Sequence, residues 1–228
     1  MKKIIIFDMD GTLYDLTDVV KMNYDMQVKF LCTKKRITEQ EATLFLAENH
    51  VYPIMKEDSK SATELFLQIG LDTKEWSDFR NTHFDVTKID KKKAVSEAVL
   101  KQFSKFGIIV LLSSNAYSVL EKVLRHIAIN TSLFDEIICS DRFPYQLPFK
   151  KKLAMEFLGE KYKVDYKDMY SIGDRYKTDI EPMLEIGGRG ILLKKNLGLN
   201  RVYNDLNNSN LYSCAEYDFY SDNSDIKF

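Results

Sequence analysis

Near its start the chain runs Ile4-Ile5-Ile6-Phe7 straight into Asp8-Met9-Asp10-Gly11-Thr12. An unbroken β-branched and aromatic run predicts a strand buried on both faces, as in a parallel sheet. In such sheets ligands bind beyond the carboxyl ends of the strands, which is where Asp8 and Asp10 fall. Alternation along an extended chain puts both acids on one side and Met9 on the other. Two carboxylates held close repel each other unless a cation or a shared proton intervenes. A hard divalent cation is therefore implied by the spacing. A calcium loop of the EF-hand kind needs glycine at position six and glutamate at twelve. Counted from Asp8, those positions do not hold them: Gly11 comes fourth and Val19 twelfth.

With 228 residues, 45% apolar and 29% charged, the chain suits one large domain or a core with a smaller insert. Thirty-three basic residues face 34 acidic ones, a formal charge of −1. That balance offers nothing for nucleic acid or an anionic membrane to recognise. The first apolar run is too short for a secretory leader, and no stretch approaches the roughly 18 apolar residues of a membrane span. Cys32, Cys139 and Cys214 are odd in number and widely scattered. They read as reduced thiols rather than a disulfide frame or a zinc site, so the expected location is cytoplasmic.

The texture predicts where the chain leaves the sheet and returns. Residues 15–93 carry helix starts at Thr38-Glu39-Gln40-Glu41, at Ser61-Ala62-Thr63-Glu64 and at Asp72, with Gly70 as a stop. We read them as an α-helical insert between a first core segment, 1–14, and a second, 94–195. In that second segment helices expected over Ala94–Phe106, through Leu120 to Leu124, over Lys150–Gly159 and over Thr178–Ile186 alternate with apolar strands. Those strands are Ile108–Leu112, Ile137–Cys139, Met169–Ile172 and Gly190–Leu193. Alternation of this kind predicts an α/β fold: a doubly wound, Rossmann-like, mostly parallel sheet. Residues 196–228, rich in Asn, Asp, Ser and Tyr, are expected to be an irregular polar tail.

Three strand ends then present polar residues to one edge of one sheet. The first gives Asp8, Asp10 and Thr12, the second Ser113, Ser114 and Asn115. Another gives Gly173-Asp174-Arg175-Tyr176-Lys177-Thr178-Asp179, and Lys150, Lys151 and Lys152 open the helix before it. FDMDGTLY, the strand ending SSN, and GDRYKTD in this order resemble the first, second and fourth motifs of the haloacid dehalogenase-like hydrolases, most of which are magnesium-dependent phosphatases. The helical insert is similar to the cap that many members carry. TLY before such a cap, with the core resuming in a strand ending SNA, resembles pyrimidine 5′-nucleotidase-like members.

The resemblance implies Asp8 as nucleophile, forming an aspartyl-phosphate, and Asp10 as general acid and then base. It implies Mg²⁺ held by Asp8, the Asp10 carbonyl and Asp174, with Asp179 close by. Thr12, Ser113, Ser114 and Asn115 would hold the phosphoryl oxygens, Ser114 being favoured over Ser113 as the hydroxyl. The substrate implied is a small phosphorylated metabolite, with a nucleoside monophosphate as first guess. One departure concerns the third motif, usually Lys-Pro, which this chain lacks. The positive charge must then come from the lysine run, and Lys150 ranks first for its place at the helix start.

Other readings fit less well. A dehalogenase on this fold would need neither the metal nor the second acid, whereas a phosphomutase would use the same residues. A catalytically weak binding protein is supported only by the missing Lys-Pro. His50, His83 and His126 lack metal-ligand spacing. Tyr52, Trp76 and Phe79 could stack on a ring, although aromatics at helical spacing more often form a core.

Overall fold

The computed structural model describes residues 2–53, 60–142, 150–193 and 198–207. Five strands form one parallel sheet in the order β3-β2-β1-β4-β5: β1 Lys3–Phe7, β2 Gly107–Ser113, β3 Glu136–Cys139, β4 Met169–Gly173 and β5 Arg189–Leu192. β1 is the central strand, and Ile4 to Phe7 are at most 1% exposed, as an uninterrupted apolar run requires. The chain builds β2 and β3 on one side of β1, then crosses over to build β4 and β5 on the other. The topological switch point therefore lies at β1, and the carboxyl end of a strand there is where a ligand crevice forms.

Among the described residues the chain divides into two compact units, Met1–Asp15 with Asp90–Phe228, and Leu16–Ile89. The second unit is helical: α1 Thr17–Lys35, α2 Glu39–Glu48, α3 Ala62–Gln68 and α4 Thr73–His83. Three of its helices, α2 to α4, start where the sequence predicts, whereas α1 starts after Leu16 with no side-chain cap. Thr38 and Glu41 form a reciprocal capping box, Ser61 accepts from the Glu64 N–H, and Asp72 accepts from the Lys74 N–H. Gly70, at φ +74°, ends α3, with the Leu71 N–H donating to the Phe66 carbonyl at 2.8 Å. Phe30, Phe66 and Trp76 meet with ring centroids 5.2–5.3 Å apart. Trp76 is 5% exposed and donates to Thr63 Oγ1, so it is core and offers no stacking face. Phe79 packs on Phe30 and stacks on His83, while Tyr52 pairs with His50.

Around the sheet lie α5 Glu97–Gln102, α6 Tyr117–His126, α7 Lys151–Tyr162, α8 Glu181–Glu185 and α9 Leu199–Asn207. Ile4 and Ile6 share a cluster with Ala154, Met155, Leu158 and Met183 of α7 and α8. Phe7, on the opposite face, meets Phe103 edge-on at 5.0 Å. The alternation of β1 thus splits its side chains between two helical layers.

Three expectations are corrected here. The helix foreseen from Ala94 begins only at Glu97, because the Val95 N–H donates to the Leu13 carbonyl at 2.8 Å and ties the returning chain to the first motif. The helix foreseen from Thr178 is a π-helical turn over Tyr176–Ile180 followed by α8, with Pro182 in the first turn of α8. Residues 199–207 are a helix rather than irregular tail. Leu199, Val202 and Leu206 form a buried stripe diluted by intervening Asn and Asp, and Tyr203 packs against Phe103 and Phe106. Residues 208–228, with Cys214, lie outside the described residues.

Candidate active site

The site is built at the carboxyl ends of β1, β2 and β4. Phe7 pairs with Leu111 on one side and Ile172 on the other, so Asp8 leaves the sheet between its two neighbours. The Asp8 N–H donates to the Ile172 carbonyl at 2.8 Å, which fixes the backbone as the strand ends. Asp8 is 8% exposed and Asp179 is 2% exposed, both unusual burials for a carboxylate. One oxygen each from Asp8, Asp174 and Asp179 lies within 4.8 Å of the others. Among the described residues no other group of His, Cys, Asp or Glu converges in this way.

Two glycines make room for this convergence. Gly11 turns the chain at φ +77°, and a Cβ there would lie 2.2 Å from Asp174 Oδ2. A Cβ on Gly173 would lie 2.4 Å from that of Asp179. Glycine at both places is thus what brings two acids up to the strand ends.

Lys151 answers part of the charge. Its Nζ lies 2.5 Å from Asp8 Oδ1 and 2.7 Å from Asp179 Oδ1, with the side chain 8% exposed. Burial pushes the Asp8 carboxyl well above the usual carboxylate range; Lys151 opposes the shift, and Asp179, Asp174 and Asp10 add to it. Burial, then Asp179, pushes Asp174 up to about 7, against the pull of Arg175 and Lys151. Burial works against the Lys151 ammonium too, but Asp179 and Asp8 outweigh it and raise the amine above its ordinary value. Three carboxylates against one ammonium leave this centre short of positive charge.

The expectation for the third motif is corrected by these contacts. Lys150, ranked first, is exposed at the start of α7, and Lys152 pairs with Glu185 at the surface. Lys151 is the residue that meets Asp8 and Asp179. Successive helical residues point about 100° apart, so only one of three adjacent lysines can face the site. Sequence carries no signal for which one, because the answer depends on the phase at which α7 starts.

Two of the predicted phosphate ligands, Ser113 and Asn115, are engaged within the protein. Thr12 is fully buried in the turn after β1, where its N–H donates to the Met9 carbonyl and its hydroxyl has no hydrogen-bond partner. Ser113 is buried and its Oγ accepts from the Asn115 N–H at 3.2 Å. Asn115 Nδ2 donates to Asp10 Oδ2 at 2.7 Å. Ser114 is exposed at the strand end, which leaves it as the hydroxyl of this loop open to a ligand. Asp10 also accepts from the Tyr14 hydroxyl at 2.5 Å, a partner that the sequence reading did not foresee.

Fold and site together define a doubly wound parallel α/β protein with a cluster of acids, two of them buried, and a lysine at its switch point. The chain belongs to the haloacid dehalogenase-like hydrolases, whose family model matches residues 2–187. No curated protein is detectably similar to it. Solved structures share the fold. A HAD phosphatase from Thermococcus onnurineus is 17% identical, with 89% of this chain and 97% of the other covered and a TM-score of 0.57. A 2-haloacid dehalogenase from Pseudomonas syringae is 14% identical, with 92% and 100% covered and a TM-score of 0.51. A β-phosphoglucomutase from Clostridium difficile is 17% identical, with 90% and 99% covered and a TM-score of 0.51. At such identities the likeness is one of fold alone.

Proposed function

We propose that the protein is a magnesium-dependent phosphatase that hydrolyses a small phosphomonoester through an aspartyl-phosphate on Asp8. The observation that carries this reading is the convergence of Asp8, Asp174 and Asp179 within 4.8 Å of one another, with Lys151 bridging Asp8 and Asp179. Family membership alone spans phosphoryl and carbon–halogen chemistry. A dehalogenase needs the nucleophile but no cation pocket, so the extra acids favour phosphoryl transfer.

The donor set fits a hard divalent cation, since carboxylate oxygens are the ligands such ions take and the cluster lacks positive charge. Asp8, Asp174 and the Asp10 carbonyl would hold Mg²⁺, with Asp179 beside them. The cation would offset the negative charge that otherwise keeps a phosphate dianion from Asp8. Asp8 then attacks phosphorus in line, and its new O–P bond forms as the ester P–O bond breaks. Asp10 gives its proton to the leaving oxygen, which departs as an alcohol. Asp10, now a carboxylate, takes a proton from the water that attacks phosphorus, which frees Asp8 and inorganic phosphate. Lys151 steadies the Asp8 carboxylate and faces the phosphoryl group, and Ser114 offers it a hydroxyl.

The test is phosphate release from a broad panel of phosphomonoesters, with Mg²⁺ and then with excess chelator. Turnover that needs the cation and falls by about 10³-fold or more in Asp8→Asn is expected, because that variant lacks the nucleophile. Equal rates in variant and parent would overturn the assignment.

A further inference from the structure

We propose that Tyr14 and Asn115 are positioning residues that fix the Asp10 carboxyl for proton transfer, an inference that rests on the phosphatase reading above. The Tyr14 hydroxyl donates to Asp10 Oδ1 at 2.5 Å, and Asn115 Nδ2 donates to Asp10 Oδ2 at 2.7 Å. One donor on each oxygen fixes both the plane and the tilt of the carboxyl group.

Both donors are themselves held. Tyr14 is fully buried, and the neighbouring Leu13 carbonyl accepts from the Val95 N–H at 2.8 Å. Asn115 is 3% exposed. Its own N–H donates to Ser113 Oγ at 3.2 Å, and its carbonyl accepts from the Ser140 N–H at 3.1 Å. Asn115 is thus pinned by the ends of β2 and β3, and Tyr14 by the chain that returns from the helical unit. A carboxyl gripped from two separately anchored segments loses little entropy when the leaving group arrives.

In the step concerned, the leaving oxygen keeps the electron pair of the broken P–O bond and takes the Asp10 proton. Asp10 is left as a carboxylate that the two donors already face. Misorienting Asp10 hurts most when the leaving oxygen is most basic, because such an oxygen depends most on receiving a proton as the bond breaks. A packing defect at Tyr14 or Asn115 would instead slow all substrates alike.

A series of ring-substituted phenyl phosphates with Mg²⁺ separates the two cases, since its members match in size and differ in leaving-group basicity. Read as kcat/KM, the comparison covers only the steps up to the aspartyl-phosphate. Tyr14→Phe, which keeps the ring, is expected to lose about three-fold on the nitro-substituted ester and about 30-fold or more on the methoxy-substituted one. Asn115→Ala is expected to steepen the same dependence from the other oxygen, and it carries the test alone if Tyr14→Phe does not fold. Equal losses across the series overturn the inference while leaving the phosphatase reading standing. Turnover of the series that is the same in Asp8→Asn as in the parent overturns both.

Discussion

Helices α1 to α4 bury Phe30, Phe66 and Trp76 against one another, whereas the sheet edge buries Asp8, Asp179 and Lys151. In the helical unit the local signals of α2 to α4 agree with the packing, since side-chain caps start all three and Gly70 stops α3. At the sheet edge they conflict, because Asp174 is crowded half-buried against the buried Asp8 and Asp179, and burial raises Asp8 and Asp174. Protein sites tolerate such conflict where function requires it. The lesson is that the two regions are to be disturbed by different changes, with different readouts.

The largest contrast is among the three lysines. Lys151→Met is expected to lower kcat/KM by about 10²-fold or more, since it removes the positive charge beside Asp8. Lys150→Met and Lys152→Met are expected to change it by less than about three-fold, as exposed charges contribute little. Similar losses in all three would detach the site from Lys151.

A second contrast uses glycines with nearly the same backbone, Gly11 at φ +77° and Gly70 at φ +74°. Gly70→Ala meets nothing within 4 Å, so only backbone strain remains, about 1 kcal/mol of stability read by denaturant unfolding. Gly11→Ala adds a clash with Asp174, and is expected to cost about 2–4 kcal/mol and to blunt any rise of Tm with Mg²⁺. Equal costs would mean that Asp174 is not held against the turn.

Asp174→Asn should act in the opposite sense on stability. With its carboxyl pushed up to about 7 by burial and Asp179, ionised Asp174 opposes folding of the metal-free chain at neutral pH. The amide is expected to raise metal-free stability by on the order of 1 kcal/mol and to abolish the Mg²⁺-dependent shift in Tm. A drop in stability would show that Asp174 is structural rather than strained. The smallest effect is Thr38→Ala, which removes the capping box of α2 and is expected to cost about 1 kcal/mol with kcat unchanged.

Much of this molecule was legible in order along the chain. Ile4–Phe7 foretold the central strand, Thr38 and Asp72 foretold helix starts, and the acids beyond two strands foretold the crowded edge. These signals are local: a strand's period, a cap's side chain, a glycine's freedom. The π-helical turn at Tyr176–Ile180 and the helix at 199–207 were missed, the first because it bends to seat Asp179 and the second because Asn and Asp mask its stripe.

The order of residues along the chain was enough to lay down the parallel α/β fold, its helical insert and the residue types gathered at one edge. Tertiary structure alone decided which of several equivalent candidates faces inward. It chose Lys151 over Lys150 and Lys152, left Ser114 exposed while burying Ser113, and turned Asn115 and Tyr14 towards Asp10. The physical reason is that composition and period are properties of neighbours in the chain. The direction of a side chain at a helix start or strand end is set by how distant segments meet, and Lys151 and Asp8 lie 143 positions apart.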